Sequence, residues 1–172
     1  MARLPTPSGD DGNWGTILNE FLEVEHNADG THFGASTTSK GVVELATQAE
    51  VDAGADGQRV VVPATLQEKL YSTQTLADGE TINWDTSLGA FAQVTLAGNR
   101  ILANPANLIN GASYILLIKQ DGEGSRTLTF SDAYKFPDGT DPTLSTAANA
   151  VDIIAFLSDG TSLYGSFQGN FS

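Results

Sequence analysis

The sequence has no cysteine and few basic residues, and each shortage excludes a class of protein. Without cysteine, the 172-residue chain cannot be a disulfide-stapled domain and cannot use cysteine as a nucleophile or metal ligand. With 8 Lys and Arg against 21 Asp and Glu, its net charge is −13, so it lacks the basic face that nucleic acid binding requires. Long apolar runs, signal-peptide features and phosphate-cradling glycine motifs are also missing, which predicts no membrane insertion and no cofactor.

The composition that remains indicates a β-rich protein with many turns. The chain has 18 glycines and 40% apolar residues, and its polar residues are largely Thr, Ser and Asn. We therefore predict a mainly β fold class. Its C-terminal domain is expected to be sandwich-like or jelly-roll-like, preceded by a small α/β stem with an N-terminal helix.

Residues 1–34 are predicted to form an attachment segment with one short helix. Asn13 is a candidate N-cap, and apolar residues follow it at helical spacing. This apolar stripe is wide for a short helix, so we expect it to pack against partners on more than one side. Its members are Trp14, Ile17, Leu18, Phe21 and Leu22.

Residues 35–74 are predicted to form a small stem or collar of alternating strands and helices. Thr47 and Glu50 have the spacing of a capping box, in which each side chain bonds the backbone of the other. The predicted elements are a strand at 41–45 that includes Val43, a capped helix from Thr47 to Gly54, a strand at 59–62 that includes Val61 and ends at Pro63, and a helix from Ala64 to about Leu70 whose first turn suits that proline.

Residues 75–172 are predicted to form an all-β domain. Seven candidate strands are separated by turn signals, and this density favours a sandwich or jelly roll. Two continuous apolar runs, 114–118 and 153–157, are predicted to be central strands buried on both faces. The candidate strands are 81–84, 90–96, 100–103, 113–119, 127–130, 151–157 and 162–167.

The residues offer weak candidates for metal or catalytic chemistry. His26 and His32 flank a turn at Asp29, and they would form a metal site only if several chains brought them together on an axis. The loop 121–125 could bind calcium, although a solvated hairpin fits it better. No serine nucleophile motif is present, so no enzymatic activity is predicted.

A group of aromatic and acidic residues beside the predicted turns suggests a second kind of site. Aromatic rings can stack on the apolar face of a sugar while carboxylates bind its hydroxyls. The same residues could instead close one end of the β domain. The candidate receptor-contacting residues are Tyr134, Phe136, Asp138 and Tyr164.

Three parts of the sequence resemble bacteriophage proteins. The segment 4–22, followed by His26 and 29–32, resembles the N-terminal leader of phage tail fibre and tail-appendage proteins. The segment 41–66 looks like the strand-helix repeat of tail fibre shafts and collars. Segments within the third region are similar to C-terminal domains of phage structural proteins, at 117–120, 124–130 and 148–153.

The resemblance implies a structural virion protein of a phage tail, such as a short fibre, an adaptor or a tip. Such appendages are homotrimers, so we expect the apolar residues of the first two segments, with Val43 and Val61, to form a trimeric stem. The resemblance further implies anchoring by the N-terminus, contacts with other tail proteins, assembly in the host cytoplasm and presentation of the β domain to a host surface glycan. The alternatives are a head fibre or capsid decoration protein and, less well supported, a glycan depolymerase.

Overall fold

The computed structural model describes residues 12–22, 31–32, 34–36 and 41–171, and it is mainly β. The described residues divide into a smaller compact unit, within 1–46 and 57–60, and a larger one, 47–56 with 61–171. No helix among the described residues has the length and apolar character needed to span a membrane.

The helices are α1 (Trp14–Leu22), α2 (Gln48–Ala53) and α3 (Pro63–Tyr71). The strands are β1 (Thr73–Thr75), β2 (Thr81–Ile82), β3 (Phe91–Leu96), β4 (Arg100–Leu102), β5 (Ser113–Gln120), β6 (Leu128–Phe130), β7 (Tyr134–Lys135), β8 (Val151–Ser158) and β9 (Leu163–Phe171).

The smaller unit contains the predicted N-terminal helix, α1, and very little sheet. The strands predicted at 41–45 and 59–62 occur only as isolated parallel bridges, of Val42 with Gly34 and of Leu45 with Val60. An ion pair at 3.1 Å between Arg59 and Glu44 accompanies the second bridge. The predicted α/β stem is therefore not confirmed at the level of strands. The three-segment domain division remains a prediction.

The two predicted helices of the second segment are confirmed. At the start of α2, the Thr47 side chain accepts a bond from the Glu50 backbone N–H, and the Glu50 carboxylate accepts one from the Thr47 N–H at 2.9 Å. The helix ends at Gly54 in the left-handed conformation, as the sequence predicts. Pro63 occupies the first turn of α3, where its missing N–H leaves no helical bond unmade.

Replacing Thr47 by alanine is expected to lower the free energy of unfolding by about 1 kcal/mol, because the change removes the acceptor of a helix N-cap. Urea unfolding monitored by circular dichroism would measure the loss. Thr47→Ser is the matched control, since it keeps the hydroxyl and should stay near the parent value. Equal stability of the alanine and serine variants would contradict a stabilising role for this cap.

Strands β1 to β6 form a parallel coil that alternates between two sheets. The order β1, β3, β5 builds one side, with Thr73, Phe91 and Ile115 in register. The order β2, β4, β6 builds the other, with Thr81, Ile101 and Thr129 in register. Each passage of the chain through both sheets is one coil, so three coils stack on one another.

The last three strands extend the larger sheet beyond the third coil. Strand β8 pairs antiparallel with β5, β9 pairs antiparallel with β8, and β7 pairs parallel with β9. The sheet order is β1-β3-β5-β8-β9-β7. All seven predicted strands are present with small boundary shifts, whereas β1 and β7 were not predicted. The jelly-roll arrangement is not confirmed, because jelly rolls are antiparallel and the first six strands here pair in parallel.

One hydrophobic core joins the two sheets. Its centre is Trp84, which meets Tyr114 and Phe156 edge-on with ring centroids 6.0 Å apart. One carboxylate, that of Asp152, is also buried, and it accepts bonds from the Ser145 hydroxyl and from the Ser145 and Asn170 backbone N–H groups. Such bonding offsets the cost of removing a charge from water.

Polar side chains tie successive coils together at the corner between the sheets. Asp78 of the first coil binds Arg100 of the second in a bidentate pair, with Nε–Oδ1 at 2.9 Å and Nη2–Oδ2 at 2.6 Å. Asn99 of the second coil accepts a bond from the Thr127 N–H of the third. In the loop weighed above as a calcium site, the guanidinium of Arg126 pairs with Asp121 and Glu123. The positive charge beside these two carboxylates is therefore that of Arg126, which directly follows the loop.

Stability is expected to fall as the pH drops below about 5, because these carboxylates are paired. The Arg100 hydrogen bonds lower the pKa of Asp78 from its usual 3.8, and the Arg126 bonds lower the pKa of Asp121 likewise. Asp78 and Asp121 therefore lose their protons more readily in the folded protein than in the unfolded chain. Their contribution to the free energy of unfolding is complete above the ordinary carboxyl pKa and is lost as the pH falls through the lowered pKa of the folded state. Chemical unfolding measured from pH 6 to pH 2 would test the slope, and Asp78→Asn should make it shallower. A parent slope unchanged by that substitution would contradict the contribution of Asp78.

Candidate functional site

A cleft of about 510 Å³ opens beside the edge strand β7. Its walls are Lys135, Phe136, Pro137, Tyr164, Gly165 and Ser166. Strands β7 and β9 bring them together, because Lys135 and Tyr164 are register partners in a parallel pair. Two rings, a proline and one cation thus line a single concave surface.

Phe136 forms the floor of the cleft because Gly165 leaves room for its ring. A methyl group at Gly165 would lie 2.5 Å from Cε1 of Phe136 and 2.8 Å from Cε1 of Phe156. The half-buried Phe136 ring also packs edge-on against Phe130, with centroids 4.9 Å apart. The core therefore fixes the position of this ring.

Tyr164 forms the exposed wall of the cleft, and Asp159 holds its hydroxyl. The Tyr164 side chain is 52% exposed, and its O–H donates to the Asp159 carboxylate at 3.0 Å. Backbone N–H groups of Ser162 and Thr161 also bind this carboxylate. These bonds lower the pKa of Asp159, while the bond to Asp159 raises the pKa of Tyr164. The exposed ring is thus anchored at its tip.

The structure places the four predicted receptor residues differently from one another. Phe136 and Tyr164 line the cleft, and Asp138 lies exposed in the neighbouring 3₁₀ turn with a φ of 58°. The prediction that Tyr134 contacts a receptor is corrected by the structure. Its side chain is only 5% exposed, belongs to the core and donates its hydroxyl to the Ala103 carbonyl. Burial raises its pKa. A side chain held in this way cannot contact a receptor while the domain stays folded.

Lys135 gives the cleft a cation that has no carboxylate partner among the described residues. Arg59, Arg100 and Arg126 each pair with an acid, and Lys69 donates to the carbonyls of Asp52 and Ser87. Proximity to turn signals suggested the cleft aromatics, but Lys135, Pro137, Gly165 and Ser166 were not predicted as site residues. Their role arises from the pairing of β7 with β9.

The predicted stem residues are largely exposed where they are described. Trp14 is 43% exposed, Leu18, Val43 and Val61 have similar exposure, and Ile17 is half-buried. Phe21 and Leu22 belong to α1, but their side chains lie outside the described part of the structure. Exposed apolar side chains of this kind are the ones that a partner would cover.

The two histidines give no support to a metal site. His32 is exposed, and His26 lies outside the described residues. Within the described part of the chain, no three His, Asp or Glu side chains converge as metal ligands would.

One family of known proteins matches the part of the chain that runs from β2 to the start of β9. Residues 81–163, a little under half of the chain, match the family described as "Putative phage tail fibre C-terminal domain". Neither a curated protein nor a solved structure matches the chain. The match favours a tail location over a head fibre and points to a structural role.

Proposed function

We propose that this chain, whose residues 81–163 match a family of putative phage tail fibre C-terminal domains, is a tail fibre protein that works as a homotrimer, anchors to the tail by its N-terminal segment and presents its β domain to the host surface. We further propose that it carries no enzymatic activity and is assembled in the host cytoplasm. The absence of cysteine suits assembly in a reducing compartment.

The observation that supports a trimer is the exposure of apolar side chains in each of the helices α1 and α3, which precede the first strand. Trp14 and Leu18 of α1 are more than two-fifths exposed, and so are Leu66, Leu70 and Tyr71 of α3. A single chain leaves these side chains in water, whereas burial of apolar area stabilises an assembly by about 25 cal/mol per Å². Three-fold packing would cover them without joining two acidic surfaces.

Light scattering on the full chain tests the assembly. We expect a mass three times the 18.0 kDa of the chain at micromolar concentration. A stable monomer would contradict the trimer. Gold labelling of whole virions would test the anchoring, because the N-terminus should lie at the tail.

The cleft at β7 supports the host-binding part of the proposal. Tyr164 and Phe136 offer ring faces for the apolar side of a sugar, and Lys135 and Ser166 offer donors for its oxygens. A pocket in which a few polar groups stand among aromatic walls is typical of small-ligand sites.

A glycan array made from host surface polysaccharides would test this cleft. We expect binding by the full chain that Tyr164→Ala abolishes. Ile101→Ala is the matched control, since Ile101 is exposed on the other sheet and should leave binding unchanged. An equal loss in both variants, or no binding by the parent, would argue against a receptor site in this cleft.

A further inference from the structure

The outer face of the larger sheet is apolar, and within the described part of the larger unit no layer packs on it. Side chains alternate along each strand, so that Ile154 of β8 points into the core while Ile153 and Ala155 point outward. In register with these lie Leu117 and Ile115 of β5. The outward isoleucines and Leu117 are half-buried, Ala155 is exposed, and none belongs to the core cluster.

No described element of the larger compact unit covers this face. Helices α2 and α3 make no extensive contact with the strands of this sheet. Sheets that are apolar on both faces normally have a layer packed on each. The runs 114–118 and 153–157 therefore have the composition of doubly buried strands, but the single chain buries one side of each.

The charge of this face distinguishes it from the rest of the chain. The outward positions of β3, β5 and β8 include no carboxylate, and Lys119 is their single charge. Elsewhere the chain is strongly acidic, with a net charge of −13. This face can therefore pack against another copy of the chain without setting carboxylates against each other.

We propose that the outer face of the larger sheet packs against the same domain of a second copy of this chain, so that the β domains form part of the subunit interface. This inference rests on the proposed oligomer and assigns a surface to it. Two sheets that pack face to face lie about 10 Å apart with their side chains in contact.

The size of the face agrees with a contribution to a larger interface. Three strands about 4.8 Å apart and about seven residues long cover roughly 330 Å². A stable interface buries about 800 Å² per partner. The face would therefore supply about two-fifths of that area, and the exposed apolar residues before β1 would supply the remainder.

Single cysteines provide a clean test because the chain has none of its own. Leu117→Cys places a thiol in the centre of the face, and Thr129→Cys, on the exposed outer side of the smaller sheet, is the matched control. The full-length variants are treated with a thiol-specific bismaleimide that spans about 10 Å, the distance between packed sheets. We expect bands of linked chains for Leu117→Cys and a single-chain band for Thr129→Cys.

The native mass, measured in parallel by light scattering, distinguishes a wrongly assigned face from a wrongly proposed oligomer. A trimer in which position 117 links no better than position 129 overturns the assigned face and leaves the proposed function standing. A monomer overturns both. If Leu117→Cys does not fold, Gln93→Cys replaces it, since Gln93 is exposed and is the register partner of Leu117.

Discussion

Replacing Trp84 by alanine is expected to lower the free energy of unfolding of the β domain by about 3–5 kcal/mol. Trp84 is 1% exposed and meets Tyr114 and Phe156 at 6.0 Å, so its removal leaves a large void between the sheets. Its indole N–H has no hydrogen-bond partner among the described residues. The loss therefore comes from packing and burial alone.

Urea unfolding followed by far-UV circular dichroism would measure this effect, and the sequence supplies a matched control. The other tryptophan of the chain is Trp14, and it is 43% exposed. Trp14→Ala should change the stability of the β domain by less than about 0.5 kcal/mol, while it weakens assembly. If both variants lost the same amount of stability, Trp84 would not be the centre of a separate core.

Replacing Gly124 by alanine is expected to cost at least about 2 kcal/mol of stability for two separate reasons. The glycine has a φ of +73°, and a left-handed backbone costs another residue about 1–2 kcal/mol. An added methyl group would also collide with the Thr146 carbonyl oxygen and lie 2.9 Å from the Ala148 nitrogen. Both obstacles are backbone atoms that cannot rotate away, and such overpacking costs about 1–3 kcal/mol.

Gly122 in the same loop provides the comparison. A methyl group there meets no atom within 4 Å, and its φ is not left-handed. Gly122→Ala should therefore stay within about 0.5 kcal/mol of the parent. Thermal unfolding of both variants would measure the difference. Equal midpoints for the two would show that the 146–148 segment yields to accommodate the side chain.

The sequence predicts the strands well because apolar runs and the turn signals that bound them are local, and the structure then buries alternate residues of each run. Strand β5 alternates in burial from Tyr114 onward, and β8 does so from Asp152 onward. The missed strand β1 has the sequence Thr-Gln-Thr, and its strand conformation is set by pairing with β3. Short polar strands of this kind carry no pattern of their own.

The pairing of the strands could not be predicted because turn signals do not distinguish a hairpin from a corner. Gly98 and Asn99 mark the turn between β3 and β4, yet these two strands belong to different sheets. Their partners lie about one coil away along the chain, where Phe91 pairs with Ile115 and Ile101 with Thr129. Nothing local in the sequence records that distance.

Only some residues of the candidate site could be predicted from the sequence, because strand pairing brings the others to the cleft. Phe136 and Tyr164 stand beside turn signals and line a cleft, but Tyr134 has the same surroundings in the sequence and is buried. Tyr134 and its register partner Leu163 are buried, whereas Lys135 and its register partner Tyr164 are exposed, and this pairing of β7 with β9 has no local signal in the sequence. The contribution of Gly165 depends on a ring 29 positions earlier in the chain, which no local pattern reveals.

The stacked coils leave the domain open to change in length. Strands β1 and β2 are each paired on one side, whereas β8, β9 and β7 close the opposite end of the larger sheet. Duplication of one coil before β3 would add a layer about 4.8 Å high, with the same register rules and the same kind of corner pair. The cleft at β7 would keep its residues. A lineage could thus vary the reach of such a domain in small steps while it preserves the cleft that we propose as the host-binding site.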